Sequence, residues 1–319
     1  NDPGEKNDVA TQHPDIIQKV KKMFAKSSIP DPPYFPYAPD DKAKMHLLNI
    51  QTPQQMKDFF HYTTDRISFA SSHRGGPVLG LPENCIATFA NTLRHTWSIM
   101  EMDPHYTKDS AIILMHDPTL DRTSTGHGKI SDHTLAEIEQ LNLKDELGNV
   151  TKYKIPTLDE ALEWAKGKTI LILDQKDVSA ETRAKIIIKH HAQTSTMVMC
   201  YNYADAKKCY ALDKNIMMEV FIPDRKSADE FDATGVPWSN VVAFVTHTQS
   251  KDADIFNYLH KKGVLCIRGS SRTIDKQYTD NKISKLDLEK GYREMIASGA
   301  DIVEADLGLQ AGKTLEQLK

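Results

Sequence analysis

From residue 67 onward, short apolar runs alternate with segments whose apolar residues recur at helical spacing. This alternation constrains the fold more than any other feature of the chain, because repeated strand–helix units form parallel sheets with right-handed crossovers. About eight such units argue for a closed (β/α)8 barrel of the TIM type. The alternative is an open doubly wound sheet, which is disfavoured because no glycine-rich loop follows the first strand.

Nine apolar runs qualify as strands, one more than such a barrel needs. They span residues 67–71, 99–103, 111–115, 169–173, 196–201, 216–221, 241–246, 264–267 and 301–304. The helices predicted between them span residues 84–96, 157–165, 180–191, 204–212, 227–233, 252–261 and 287–297. One strand candidate must be extra or lie outside the barrel, and the pattern does not indicate which one.

Residues 1–66 precede the barrel, which we place at residues 67–319, and are predicted to be a helical extension packed on it. Helical spacing of apolar residues over 14–25 predicts one helix, and Thr52-Pro53 opens a second. The link at residues 29–39 contains five prolines, so it cannot form a regular helix or a central strand.

The composition excludes several classes of protein. The 319 residues carry a net charge of only -4, without the basic footprint that nucleic acid requires. No stretch approaches the ~18 apolar residues of a membrane span, so none is expected. The cysteines form no CxxC pair and are expected to be free thiols: Cys85, Cys200, Cys209 and Cys266.

The cellular location and the oligomeric state are only weakly constrained. A chain that starts at Asn1 is compatible with removal of a leader, although no signal-peptide pattern is present. Our expectation is therefore a periplasmic or secreted protein rather than a cytoplasmic one. The sequence carries no indication of its oligomeric state.

Polar residues end four successive strand candidates, which is where a TIM barrel places its active site. In chain order they are His73 and Arg74, then Glu101 and Asp103, then His116 and Asp117, then Asp174 and Lys176. Alternation along a strand puts residues i and i+2 on one face, so the two carboxylates of the second strand point the same way. Each element alone has an ordinary structural explanation, but four in succession indicate a site.

The chemistry of these residues indicates metal-assisted proton transfer. Converging carboxylates at Glu101, Asp103 and Asp174 would repel one another unless a cation lies among them. Oxygen ligands favour Ca²⁺ or Mg²⁺, so we expect one divalent cation. His73 and His116 are suited to acid and base roles near neutral pH.

Arg74 and Lys176 add fixed positive charge to the same strand ends. Guanidinium and ammonium groups bind anions, and phosphate is the natural candidate here. We therefore expect a small-molecule substrate that contains phosphate.

These residues carry a resemblance to the glycerophosphodiester phosphodiesterases, over about residues 68–309. The matching motifs are His73-Arg74-Gly75, Pro82-Glu83-Asn84, Glu101-x-Asp103, Thr107-Lys108-Asp109, the run from His116-Asp117-Pro118 to Gly128, residues 155–162, and Glu304-Ala305-Asp306. Together these motifs are specific, whereas each alone is weak. Members of this family fold as TIM barrels, which agrees with the periodicity.

The resemblance implies residue roles and a reaction. It makes His73 and His116 the general acid and the general base, in an order left open. It assigns Glu101, Asp103 and Asp174 to the metal, and Arg74, Lys176 and Glu83 to the phosphate and the substrate. The implied reaction is hydrolysis of a glycerophosphodiester to glycerol 3-phosphate and an alcohol, in which a glycerol hydroxyl attacks phosphorus and water opens the cyclic phosphate.

The chain departs from the family pattern at two strand ends. The fourth usually carries Glu-x-Lys, whereas this chain has Asp174-Gln175-Lys176, whose Asp is one methylene shorter and can favour a different ion. The late strand often ends Trp-Thr-x-Asn, whereas this chain continues from Cys266 with Ile-Arg-Gly-Ser-Ser. Arg268 is expected to place an extra positive charge at the barrel mouth, for the leaving group or a second anionic moiety.

Two other functions stay open at this point. A barrel phospholipase of the phosphatidylinositol-specific C or sphingomyelinase D kind should expose an apolar rim toward the membrane, and no such run is evident. A catalytically inactive phosphodiester-binding protein would keep the pocket, but both histidines and three carboxylates are retained.

Overall fold

Eight parallel strands close into a barrel in the computed structural model, which describes residues 44–318. The strands are β1 (Phe69–Ser72), β2 (Ser98–Met102), β3 (Pro104–Tyr106), β4 (Ile112–Leu114), β5 (Leu171–Leu173), β6 (Thr196–Cys200), β7 (Met217–Phe221), β8 (Val241–Thr246), β9 (Cys266–Gly269) and β10 (Ile302–Ala305). Strand β1 pairs with both β2 and β10, so the predicted TIM barrel is confirmed and the open sheet is excluded.

The extra strand candidate, residues 111–115, corresponds to β4, which lies outside the barrel and pairs with β3 in an antiparallel two-stranded sheet. Only a tight turn joins them, in which Thr107 N donates to Ala111 O and Ser110 has a positive φ of 65°. A connection this short permits an antiparallel hairpin, whereas a parallel crossover needs about a dozen residues. The expectation that His116 follows a barrel strand was therefore wrong, because it follows this hairpin.

Helices cover the outside of the barrel at the positions that the periodicity indicates. Within residues 44–318 the α-helices are Pro53–Phe59, Ile86–His95, Leu135–Ile138, Leu158–Ala165, Ala180–Lys189, Tyr203–Leu212, Arg225–Asp232, Ile255–Lys261, Lys276–Thr279, Lys285–Ala297 and Gly308–Glu316. Local chemistry sets several of their starts. Thr157 and Glu160, for example, form a reciprocal capping box that satisfies free backbone donors.

Alternation along the strands separates two apolar cores. On β6, Met197 and Met199 belong to the cluster inside the barrel, while Val198 and Cys200 pack against the surrounding helices. All four cysteines are buried and free, as expected. Within the described range, no helix combines the length and apolar character needed to span a bilayer.

The segment before β1 closes the amino-terminal end of the barrel. Ile50, Met56 and Phe60 are buried in the interior cluster. The predicted helix at residues 14–25 and the proline-rich link lie outside the described residues, so the extension as a whole stays a prediction. The barrel interior at this end is therefore packed with apolar side chains.

Candidate active site

A cavity of about 520 Å³ opens at the carboxyl ends of the barrel strands. Most residues that the sequence indicated for the site line it: His73, Arg74, Glu83, Glu101, His116, Asp174 and Lys176. Asp103 is fully buried beside it, within 3.0 Å of Lys176 Nζ. The fold thus brings the predicted strand-end residues together.

Three carboxylates form the acidic centre of the cavity. Glu101, Asp103 and Asp174 are all buried, and one oxygen of each lies within 4.8 Å of the others. Burial, followed by the charge of Asp103, raises the pKa of Glu101 well above its usual value. Lys176 contacts two of them, yet one ammonium does not balance three carboxylates. The oxygen-only donor set and the excess negative charge fit a hard divalent cation.

The backbone around the carboxylates is shaped to hold them. Asn84 adopts a left-handed φ of 53°, a conformation that asparagine tolerates better than most residues. Its side chain donates to Asp103 Oδ2 at 2.6 Å and accepts from Asp103 N at 3.1 Å. Arg74 N, also in the left-handed region, donates to Glu101 at 3.0 Å. Both carboxylates are therefore oriented by backbone conformations that the sequence alone does not reveal.

Asp174 is held by Tyr201, which follows the adjacent strand β6, and by Lys176, two residues further along its own strand end. Tyr201 donates its hydroxyl hydrogen to Asp174 Oδ1 at 2.7 Å, and Lys176 contacts the other oxygen. The Tyr201 ring lines the cavity and stacks on Phe221 with centroids 4.8 Å apart. The shortened carboxylate is thus anchored by a tyrosine to which sequence reasoning gave no polar role.

Each histidine is paired with a carboxylate through Nδ1. His73 Nδ1 lies 2.6 Å from Asp306 Oδ1, and His116 Nδ1 lies 2.8 Å from Asp117 Oδ1. A hydrogen on Nδ1 completes each contact, which leaves Nε2 as the nitrogen that can exchange a proton. His73 Nε2 is also 3.7 Å from Glu101.

The electrostatic environment of His73 favours its charged form. Burial acts against the charged ring, but the hydrogen bond to Asp306 and the charges of Glu101 and Glu304 outweigh it and raise the pKa of His73 to about 10. A cation bound among the carboxylates would oppose this shift, because it cancels the same negative charge.

Arg122 joins the two halves of the site, and sequence reasoning missed it although it lies in a matching motif. Its guanidinium donates to Glu83 at 2.8 and 3.0 Å and to Asp117 at 2.7 and 2.9 Å. Glu83 also accepts from Arg74 at 3.0 Å. Glu83 is therefore engaged by two arginines, and the network runs from Arg74 to the partner of His116.

Arg268 does not reach the cavity, so the expectation that it adds charge to the mouth was wrong. Ile267 belongs to the barrel interior, and alternation along β9 turns its neighbour toward the helices. Arg268 Nη1 donates to Ser298 Oγ at 3.0 Å, at the end of the helix Lys285–Ala297. The alternation of inward-facing and outward-facing residues along β9 could have predicted this outward direction from the sequence.

The wall of the cavity after β8 and β9 was not expected from the sequence. His247 follows β8, and Ser271, Arg272 and Lys276 follow β9. Here the chain forms a π-helical turn over Ser271–Asp275, a conformation that periodicity does not signal.

A second cluster of possible metal ligands lies at the opposite end of the barrel. It contains His260, Cys266 and Asp301. Asp301 already accepts from Arg66, from His260 at 2.9 Å and from the Cys266 backbone at 2.7 Å. This cluster is therefore a satisfied ion pair that joins the extension to the barrel.

The sequence and the fold of this chain match a known protein family and a solved crystal structure. The model of the glycerophosphoryl diester phosphodiesterase family matches residues 73–265. The crystal structure of a glycerophosphoryl diester phosphodiesterase from Parabacteroides distasonis is 38% identical with a TM-score of 0.83, over 86% of this chain and 95% of that one.

Curated relatives match over shorter regions. A glycerophosphodiester phosphodiesterase of Bacillus subtilis is 26% identical over 53% of this chain and 64% of its own length. Glycerophosphodiester phosphodiesterase 1 of Bos taurus is 30% identical over 55% of this chain and 51% of its own. The matches thus span less than two thirds of these two relatives.

Proposed function

The chain belongs to the glycerophosphoryl diester phosphodiesterase family, and on that premise we propose that it hydrolyses glycerophosphodiesters to glycerol 3-phosphate and an alcohol. One observation supports this reading most directly. Two histidines, each hydrogen-bonded to a carboxylate through Nδ1, share a cavity with three clustered carboxylates, an arginine and a lysine. That set matches what cleavage of an anionic phosphodiester needs.

The residues that would hold a divalent cation, Ca²⁺ or Mg²⁺, are Glu101, Asp103 and Asp174. Such an ion, when bound, supplies positive charge that stabilises developing charge on the phosphate oxygens. Arg74 and Lys176 line the same cavity and add fixed positive charge to it. Ion pairs with Glu83 and Asp103 hold the Arg74 guanidinium and the Lys176 ammonium in place, respectively.

His73 and His116 carry out the proton transfers. One ring takes the proton of the attacking glycerol hydroxyl through Nε2, and the other delivers a proton to the departing alcohol oxygen, which leaves a cyclic phosphate. Water then opens this ring to glycerol 3-phosphate, with the two histidines in reversed roles. Asp306 and Asp117 fix the orientation of the rings and stabilise whichever is charged. Arg122 keeps Asp117 ionised, because its hydrogen bonds, which outweigh the effect of burial, lower the pKa of that carboxyl far below its usual value.

The activity is tested by measuring glycerol 3-phosphate release from glycerophosphoglycerol, glycerophosphocholine, glycerophosphoethanolamine and glycerophosphoinositol. Each substrate is assayed with Ca²⁺, with Mg²⁺ and with chelator. We expect turnover of at least one substrate with one of the ions and loss of turnover with chelator. A folded protein that turns over none of them with either ion would refute the proposal.

The cation site is tested separately by titration calorimetry with Ca²⁺ and with Mg²⁺ alone. Glu101→Gln removes one of three clustered charges and should weaken binding at least about tenfold. Glu139→Gln, at an exposed position between β4 and the helix Leu158–Ala165, is the matched control and should bind as the wild type does. Equal affinity in both variants would place the ion elsewhere.

A further inference from the structure

A positively charged side chain without a counterion faces the cavity from the wall after β9. Arg272 lines the cavity and is exposed. Among residues 44–318 its guanidinium has no hydrogen-bond or ion-pair partner, whereas Arg74, Lys176 and Lys276 on the same cavity are each paired with a carboxylate. Its charge is therefore available to a ligand.

The backbone that carries Arg272 is held in place by hydrogen bonds to Asp275. It belongs to the π-helical turn Ser271–Asp275, whose last residue is fully buried. Asp275 accepts hydrogen bonds from Ser270 Oγ at 2.7 Å, Tyr292 Oη at 2.7 Å and Asp306 N at 2.8 Å. The turn is thereby tied to Asp306, the residue that orients His73, so the backbone from which Arg272 extends is anchored beside the acid–base pair.

Gly269, at the end of β9, shapes the same wall because it has no side chain. A Cβ on Gly269 would lie 2.2 Å from His247 Nδ1, so only glycine leaves room for this ring. His247 lines the cavity and packs on Phe244 with centroids 4.7 Å apart. Burial and the charge of Arg272 lower the pKa of His247 to about 4, so the ring is a neutral hydrogen-bonding group near neutral pH. Lys276 also lines this rim, although its charge is paired with Asp280, so Arg272 is the main cation there.

We propose that Arg272, with His247 and Lys276 beside it, forms a subsite for an anionic group on the alcohol part of the substrate. The inference rests on the proposed function and specifies its substrate class: glycerophosphodiesters whose alcohol bears its own phosphate or carboxylate. The cations assigned to the scissile phosphate, Arg74 and Lys176, follow β1 and β5, whereas Arg272 follows β9. Glycerol is uncharged and common to all substrates, so an extra cation can discriminate only through the alcohol.

The experiment compares substrates that differ mainly in the charge of the alcohol. Glycerophosphoglycerol is neutral there, glycerophosphoglycerol phosphate and glycerophosphoglycerate add a phosphate or a carboxylate, and glycerophosphocholine adds a positive charge. The measured quantity is kcat/KM relative to glycerophosphoglycerol. We expect the wild type to favour the anionic alcohols roughly tenfold, as one charge-assisted hydrogen bond provides, and to disfavour choline. The phosphate and carboxylate arms distinguish the two sources of anionic charge.

Variants assign this preference to one side chain. Arg272→Gln should bring the anionic-to-neutral ratio close to one, and Arg272→Lys should keep part of it. Arg268→Gln removes a cation four residues away that faces the helices, so the ratio should be retained. Added salt should shrink the wild-type preference, because the subsite is exposed.

The outcomes separate this inference from the proposed function. Turnover of all four substrates with equal efficiency, or an unchanged ratio in Arg272→Gln, would overturn the subsite while leaving the phosphodiesterase activity in place. An equal loss for every substrate would make Arg272 a general attractor of anions and would also overturn it. Absence of turnover for all four, and also for glycerophosphoethanolamine and glycerophosphoinositol, would instead refute the proposed function.

Discussion

At the scale of single residues, the site depends on partners that are far apart in the chain. His73 is held by Asp306, 233 positions later, and Glu83 is held by Arg122, 39 positions later. Such contacts are charge-assisted hydrogen bonds, which are among the stronger polar interactions in a protein. Orientation of the catalytic groups is therefore a property of the closed barrel and not of any local segment.

The histidines lead to the first prediction. His73→Asn and His116→Asn each remove the Nε2 that exchanges a proton, so kcat should fall by about 10²–10⁴-fold in either variant. Steady-state rates with glycerophosphoglycerol measure this, and circular dichroism checks the fold. His127→Asn, whose ring is exposed, should keep wild-type rates. Substantial activity in one of the two site variants would remove that histidine from the mechanism.

The second prediction concerns a carboxylate that the proposed mechanism does not use. Glu219 is fully buried in the barrel, and neither of its oxygens has a hydrogen-bond partner within the described residues. Burial, followed by the charges of Glu304, Glu101 and Asp174, raises its pKa well above the usual value.

Glu219→Met keeps most of the volume and removes the unsatisfied group, so it should stabilise the fold by about 1–3 kcal/mol. Urea denaturation in chelator measures the free energy of unfolding. The exposed Glu139→Met should change it by less than about 0.5 kcal/mol. A destabilised Glu219→Met would mean that this carboxylate has a binding partner.

At the scale of elements, the insertion between β4 and the helix Leu158–Ala165 supplies part of the site. It has its own small apolar cluster, which includes Leu120, Ile130 and Leu143. Arg122 then ties it to the barrel through Glu83. This segment, residues 115–157, therefore contributes Arg122 to the site.

The ion pairs of Arg122 lead to a prediction about how the stability of the fold depends on pH. Arg122 lowers the pKa of Asp117, and together with Arg74 it lowers that of Glu83 against the opposing effect of burial. A depressed carboxyl pKa contributes stability that is present above the ordinary value of about 4 and is lost as the pH falls. The melting temperature of the wild type should therefore exceed that of Arg122→Met most above pH ~5 and approach it near pH ~2.

Thermal unfolding of both proteins across this range measures the difference between the two curves. Arg225→Met, which removes a surface arginine that pairs with Asp254, is the matched control and should show a smaller change. If the melting temperatures of the wild type and of Arg122→Met differed by the same amount at every pH, the ion pairs of Arg122 would not contribute the expected pH-dependent stability.

At the scale of the whole molecule, one end of the barrel is packed for stability and the other end carries the candidate active site. The segment before β1 fills the amino-terminal end with Phe60, Met56 and Ile50, while the other end holds the polar cavity. Phe60→Ala should cost about 3–5 kcal/mol, because it empties a fully buried aromatic site. Chemical denaturation measures this, with the exposed Leu286→Ala as control. Equal stability of the two variants would mean that the segment does not support the barrel.

The fold class and the main site residues followed from the sequence because their signals are local. Strand–helix periodicity indicates a barrel, and polar residues at strand ends indicate where Glu101, Asp103 and Asp174 converge. His73 and His116 were identified in the same way. Helix positions agree closely, because capping residues and apolar spacing lie within each segment.

The tertiary structure alone decided the rest, because it depends on contacts between distant segments. Pairing of β3 with β4 showed which strand candidate lies outside the barrel. Barrel closure brought Asp306 to His73, and the insertion brought Arg122 to Glu83. The direction of β9 turned Arg268 outward, and the π-helical turn that follows brought Arg272 into the cavity. A sequence pattern shows that a charge is present, but the direction of its side chain is set by the packed fold.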